Sequence, residues 1–146
     1  MTADIWSAGI SKYWSVLHLN TTIEGYYKLM HNVTEFDNLL VRQAASEQEL
    51  LEQIETDGRG NAYGLEFSLA YDDLKSLQVE AAYTLSWNWR RFAAFNNGER
   101  YPSGFDRRHD LSLYLNKSFK QGWQINLVWG YASGRPVTLP SAKLFY

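Results

Sequence analysis

Apolar and polar residues alternate along most of this chain with a period of two, the spacing of a strand whose side chains point to opposite faces. The alternation is cleanest from Leu77 to Arg90, where Leu77, Val79, Ala81, Tyr83, Leu85, Trp87 and Trp89 interleave with Gln78, Glu80, Ala82, Thr84, Ser86, Asn88 and Arg90. It recurs from Asn61 to Tyr71, with Tyr63, Leu65, Phe67, Leu69 and Tyr71 on the apolar side, and from Asp110 to Phe119 with Leu111, Leu113 and Leu115. Trp123, Ile125, Leu127, Trp129 and Tyr131 continue it in a last strand. Upstream, Ser15 to Val33 reads as one long strand, with Leu17, Leu19, Thr21, Ile23, Tyr27 and Leu29 opposed to His18, Asn20, Thr22, Glu24, Tyr26 and Lys28. Asp4 to Ser11 alternates weakly around Gly9 and is a poor strand by itself, followed by a break at Lys12 to Trp14.

The connections alternate in length. Short turns are expected near Lys12, at Asp72 to Ser76 and at Lys120 to Gly122, and long polar loops at Thr34 to Gly60 and Arg91 to Phe105. Within the first long loop, Ser46-Glu47-Gln48-Glu49 has capping-box spacing, Leu50, Leu51 and Ile54 follow at helical spacing, and Asp57-Gly58 stops the pattern, predicting a short surface helix. The fold class is therefore all-β: an antiparallel up-and-down meander of about six strands, with short turns at one end and long loops at the other.

What the apolar face packs against decides the setting. Tyr71, Phe119 and Trp123 lie beside the short turns, whereas Tyr63, Trp87, Trp89, Trp129 and Tyr131 lie towards the long loops. Two aromatic girdles with aliphatic residues between them match the two interfaces of a bilayer, because an indole or phenol has an apolar body and a polar tip. From Leu77 to Trp89 the strand rises roughly 40 Å, or about 30 Å after a ~40° tilt, enough for a hydrocarbon layer. The opposite face carries Glu24, Lys28, Glu66, Glu80, Arg90 and Asp110, charges too costly for a dry core but suited to a wet barrel lumen. Aromatic residues make up 16% of the chain while mean hydropathy is -0.40, the combination expected of two-faced strands. The reading is a segment of a transmembrane β-barrel in a bacterial outer membrane, with lipid as a partner. A soluble β-rich binding or adhesive domain, its apolar face packed on a second sheet, is the alternative.

A family resemblance can be stated on particular residues. Glu24-Gly25-Tyr26-Tyr27-Lys28, Asn61-Ala62-Tyr63-Gly64-Leu65-Glu66, Ala82-Tyr83-Thr84-Leu85-Ser86, Gly98-Glu99-Arg100-Tyr101-Pro102, Phe105-Asp106-Arg107-Arg108-His109-Asp110-Leu111 and Trp129-Gly130-Tyr131-Ala132-Ser133-Gly134-Arg135-Pro136 resemble successive strands near the end of the barrel in TonB-dependent outer-membrane receptors, Bacteroidota type. The resemblance covers residues 5 to 140. It implies a barrel of about 22 strands with an N-terminal plug, and a plug-side box that engages TonB. It also implies energised uptake of a scarce nutrient, such as a ferric siderophore, cobalamin or an oligosaccharide. Neither plug nor box is recognisable in residues 1–146, so the whole chain reads as a partial barrel. Met1 to Trp6 has neither the basic start nor the apolar middle of a signal peptide, so for an exported protein Met1 reads as an artificial start or as the start of a truncated reading frame. No enzyme activity or cofactor is implied.

Ligand contact is expected in the second long loop, with Asn96, Asn97, Arg100, Tyr101 and Phe105 as candidates. Asp106-Arg107-Arg108-His109-Asp110 places a histidine beside two carboxylates, but adjacent strand residues face opposite ways, so His109 and Asp110 do not make a His-Asp pair. His18, His31 and His109 lack ligand spacing, and there is no cysteine to supply a thiolate. Trp87-Asn88-Trp89-Arg90-Arg91-Phe92 superficially suits single-stranded nucleic acid, yet the net charge of -2 gives no electrostatic drive for that partner. Asp57-Gly58-Arg59-Gly60 leads into a strand and so is no phosphate loop. A turn centred near Leu74 would set Glu80 opposite Ser68 and diagonal to Glu66, a pair either compensated by a cation from an absent segment or solvated in a wet lumen.

Overall fold

The computed structural model describes residues 1–36, 54–94 and 96–137, and among them the chain is one antiparallel sheet. Its strands are β1 (Thr2–Trp14), β2 (Leu19–Phe36), β3 (Ile54–Asp72), β4 (Leu77–Arg91), the two-residue β5 (Tyr101–Pro102), β6 (His109–Ser118) and β7 (Gln124–Ala132). They pair in the order β1-β2-β3-β4-β6-β7, with β5 continuing the edge of β4 beyond β6. The up-and-down meander is as the alternation predicts. The sheet is open: β1 and β7 each keep one edge without a strand partner among the described residues.

The register carries the two faces across every strand. Ile10, Ile23, Phe67, Tyr83, Leu111 and Tyr131 form one cross-strand row, and Ala8, Gly25, Leu65, Leu85 and His109 lie in the next. All the positions expected on the apolar side of β2, β3, β4, β6 and β7 share one face. That face is largely uncovered, with Ile23, Leu65, Phe67, Ile125, Leu127 and Trp129 all exposed.

Four boundaries differ from expectation. Lys12 to Trp14 is strand, paired with Thr21, Asn20 and Leu19, and the reversal falls at Ser15–Leu17, a 3-10 turn closed by His18 at φ 49°. The weak alternation of β1 hides its pairing because Ile5 and Tyr13 stand on the face opposite Trp6, Ile10 and Trp14. Backbone bonding to β2 along its full length makes it a strand despite that. The first long loop is shorter than its polarity suggests: β2 runs on to Phe36 and β3 begins at Ile54. Ile54 is thus strand, and the remainder of the proposed helix lies outside the described residues. The second long loop contains β5 and a 3-10 turn at Asn96–Gly98.

The turn between β3 and β4 shows why Asp72-Asp73 ends one strand and starts another. Asp73 Oδ1 accepts from the backbone amides of Lys75, Ser76 and Leu77 at 2.9, 2.6 and 2.8 Å, and Asp72 Oδ1 from that of Leu74 at 2.7 Å. These bonds, that of Leu77 foremost, hold the Asp73 carboxyl well below the usual carboxylate range. Leu74 adopts φ 60° to let the chain reverse. The turn brings Glu80 opposite Ala70, with Ser68 opposite Ala82. Glu80 is therefore two residues from the predicted register and is not diagonal to Glu66. Directly opposite Glu66 are Thr84 on β4 and Glu24 on β2.

Candidate functional site at the long-loop end

The packed part of the molecule lies on the polar face, at the end of the sheet that carries the long loops. Met30, Val33 and Phe92 are buried together, flanked by Ala62 and Tyr101. Gly58 and Gly60 of β3 make room for this cluster, and Gly64 further along the strand admits Tyr26. A Cβ at Gly58 would collide with the ring of Phe92, one at Gly60 would come 2.6 Å from Arg90 Nη1, and one at Gly64 would come 2.5 Å from the Leu85 carbonyl oxygen and 2.9 Å from the Tyr26 ring. Asp57-Gly58-Arg59-Gly60 is thus not a loop signature but a strand segment whose missing side chains admit neighbours. Spacing of glycines by two in a strand is the sequence signal that points to such close approach.

The second long loop is tied down over this cluster. Arg90 donates from Nη1 to Met30 Sδ at 3.3 Å, and the Tyr101 hydroxyl donates to Glu35 Oε2 at 2.9 Å. Burial, with the Glu35 carboxylate alongside, pushes the Tyr101 phenol above the ordinary tyrosine range. Past β5, the backbone amide of Ser103 donates to the Asn88 carbonyl at 2.8 Å while buried Asp106 accepts the Asn88 amide at 2.7 Å. Asp106 also pairs with Arg108 at 2.9 Å. Ser103 and Asp106 therefore do for Asn88 what a neighbouring strand would, carrying the edge of β4 from β5 to β6. The side chains from Asp106 to Asp110 are held by partners in the same way. His109 Nδ1 meets the Tyr83 hydroxyl at 2.8 Å on the apolar face, and Asp110 pairs with Arg107 at 2.8 Å.

The five loop candidates do not converge. Asn96 and Asn97 are exposed at φ 49° and 55°, Phe105 is 72% exposed, Tyr101 is turned to the polar face, and Arg100 lies over the ring of Trp89 on the apolar face, 5.1 Å from its centroid. The charges expected on the polar face are all there. Glu24 faces Glu66 across β2 and β3, Lys28 faces Ala62, Glu80 lies between Ala70 and Tyr114, and Arg90 and Asp110 are bonded as described.

On the apolar face the long-loop girdle is a continuous row. Trp6, Tyr27, Tyr63 and Trp87 follow one another across β1 to β4 with ring centroids 6.3, 6.2 and 5.4 Å apart. Arg108 sits over Trp87 at 4.7 Å from its centroid. Trp129 and Tyr131 of β7 are exposed on the same face but in rows nearer mid-sheet, Tyr131 opposite Leu111 and Trp129 opposite Leu113. At the short-turn end Tyr71 is half-buried, whereas Phe119 and Trp123 are exposed. Trp6 and the arginines Arg59, Arg91 and Arg108 of this rim were not among the expected site residues, because the weak pattern of β1 and the loop reading of Arg59 concealed their place. Compared with protein families, curated protein sequences and solved structures, the chain matches none.

Proposed function

We propose that this chain forms part of the wall of an outer-membrane β-barrel of the TonB-dependent receptor type, whose whole takes up a scarce nutrient. The single observation behind this reading is an exposed apolar face that continues strand by strand from β1 to β7, with aromatic residues towards both ends. A patch of that extent on a soluble monomer is rare. Lipid is its natural cover, and the charged polar face then looks into a wet lumen. The glycine-lined cluster beneath the second long loop fits this arrangement, since it anchors that loop at the lumen side of the wall. No residue of this segment carries bond chemistry in the proposal. Energy for uptake enters through plug and TonB contacts, and the nutrient meets loop residues such as Asn96, Asn97 and Phe105.

Two open sheet edges bear on how the segment works. Strand edges with unpaired amides and carbonyls are not tolerated in hydrocarbon, so a functional wall needs further strands to close it. The isolated residues 1–146 are accordingly expected to give no channel or uptake signal. Partitioning tests the reading directly: the chain alone is expected not to fold stably in aqueous buffer. Its recovery from aqueous buffer as a soluble, cooperatively unfolding monomer would refute the membrane assignment and favour a soluble binding or adhesive domain.

A further inference from the structure

Above the aromatic row, the apolar face ends in arginines. Arg59 of β3 and Arg91 of β4 are direct cross-strand partners, one step beyond the Asn61–Trp89 pair and two beyond Tyr63–Trp87. Both are exposed on the side of the sheet that carries Trp87 and Trp89, and Arg100 joins them by lying over Trp89. Like charges directly opposite on adjacent strands repel. Among the described residues, none of Arg59, Arg91 and Arg100 has an ion-pair partner. Asp57 and Glu99, the acidic residues nearest in sequence, pair with none of them. Arg91 spends only its Nε, on the Gly98 carbonyl at 2.7 Å, and Arg100 presents its guanidinium to the Trp89 ring. Arg108, by contrast, is neutralised by Asp106.

We infer that Arg59, Arg91 and Arg100 form a binding site for the phosphate of a membrane lipid headgroup. The inference rests on the membrane reading above and adds to it the class of lipid held at the long-loop rim. An anion between Arg59 and Arg91 relieves their repulsion. Guanidinium groups bind phosphate through paired N–H donors. Trp89 and Trp87 stand one and two rows further in on the same face, on the side where the acyl chains of the same lipid begin, so headgroup and chain contacts fall in the order a bilayer imposes.

The test compares two brominated lipids as quenchers of tryptophan fluorescence in phosphatidylcholine vesicles carrying the protein. Brominated phosphatidylglycerol is expected to quench the wild type better than brominated phosphatidylcholine, with a preference of about threefold or more that shrinks as salt rises. R59Q/R91Q/R100Q is expected to lose that preference. R59K/R91K/R100K is expected to retain most of it, which separates loss of charge from loss of fold. Lys12→Gln, at the opposite end of the sheet where the ammonium lies 3.9 Å over the Trp14 ring, is expected to retain it fully. Equal quenching of the wild type by both lipids, or a preference that survives in the glutamine variant, overturns the site. Displacement of the anionic lipid by inorganic phosphate at matched concentration overturns the lipid as its ligand in favour of a free anion. Absence of quenching by either lipid, with the sheet folded by circular dichroism in the same vesicles, removes the membrane reading itself, and the site with it.

Discussion

The ring of Phe92 occupies the space in which residue 58 would carry a Cβ, so this loop-base side chain can be buried only because residue 58 is glycine. The contact joins the end of β4 to the long-loop end of β3 and fixes where the second long loop starts. Gly58→Ala is expected to destabilise the fold by about 1–3 kcal/mol through overpacking. Phe92→Ala is expected to cost about 3 kcal/mol through the cavity it leaves. The urea midpoint in detergent micelles measures both, and the double variant should cost less than the sum because one change relieves the other.

Tyr101 and Glu35 give the loop a second tie with its own pH signature. Tyr101→Phe leaves the Glu35 carboxylate without its hydroxyl donor and is expected to cost about 1–2 kcal/mol. Because the folded phenol titrates above its unfolded value, both states keep the proton below pH ~10 and this group then contributes no pH dependence. Above that pH the unfolded chain loses the proton first and stability falls. Comparing wild type with Tyr101→Phe from neutral to alkaline pH should show a loss in the wild type that the variant lacks; parallel curves would contradict it.

The carboxylate of Asp73 organises the turn from β3 to β4 through three backbone amides. Its pKa is lowered by folding, so its contribution is present above the unfolded carboxylate range near pH ~4 and is lost as pH falls below it. Asp73→Asn is expected to lower the unfolding midpoint at neutral pH and to differ less from the wild type in acid. Amide exchange of Lys75, Ser76 and Leu77 reports the same bonds residue by residue.

Leu74 occupies the left-handed region in that turn and is 72% exposed, so its side chain gains little from packing in return for the strain. Leu74→Asn is expected to stabilise the protein by about 0.5–1 kcal/mol, since asparagine tolerates this backbone conformation better. A midpoint unchanged or lowered in thermal unfolding would count against a strained turn.

Glu24 and Glu66 face one another on the polar side in mid-strand, two carboxylates in direct cross-strand register. If solvent alone screens them, Glu66→Gln raises stability by about 0.2–1 kcal/mol. On the proposed receptor reading a cation from the plug would reverse the sign, and Glu24→Gln/Glu66→Gln would then impair assembly of the completed barrel. We expect the first outcome in residues 1–146, and the second only where the proposed barrel and plug are present. Unfolding midpoints and heat-modified gel mobility distinguish them.

Much of the fold is legible in the residues themselves. Strand periodicity is local, so Leu77 to Arg90 declares both of its faces without reference to any neighbour, and the same holds for β6 and β7. Asp72-Asp73 and Lys120-Gln121-Gly122 mark reversals because their chemistry suits turns wherever they stand. The polar composition of Thr34–Phe36 and of the segment from Ile54 to Gly60 misleads, because wet or glycine-lined strands lack the apolar side that alternation needs. Tertiary structure alone decides three things. It sets the register that puts Glu24, and not Glu80, beside Glu66, since one turn residue more or less shifts every pair. It sends Arg100 and Tyr101, neighbours in sequence, to opposite faces of the sheet. It turns Gly58, Gly60 and Gly64 from apparent flexibility into space already filled by Phe92, Arg90 and Tyr26. Each depends on which chain segments meet, and that is a property of the assembled sheet and not of any stretch within it.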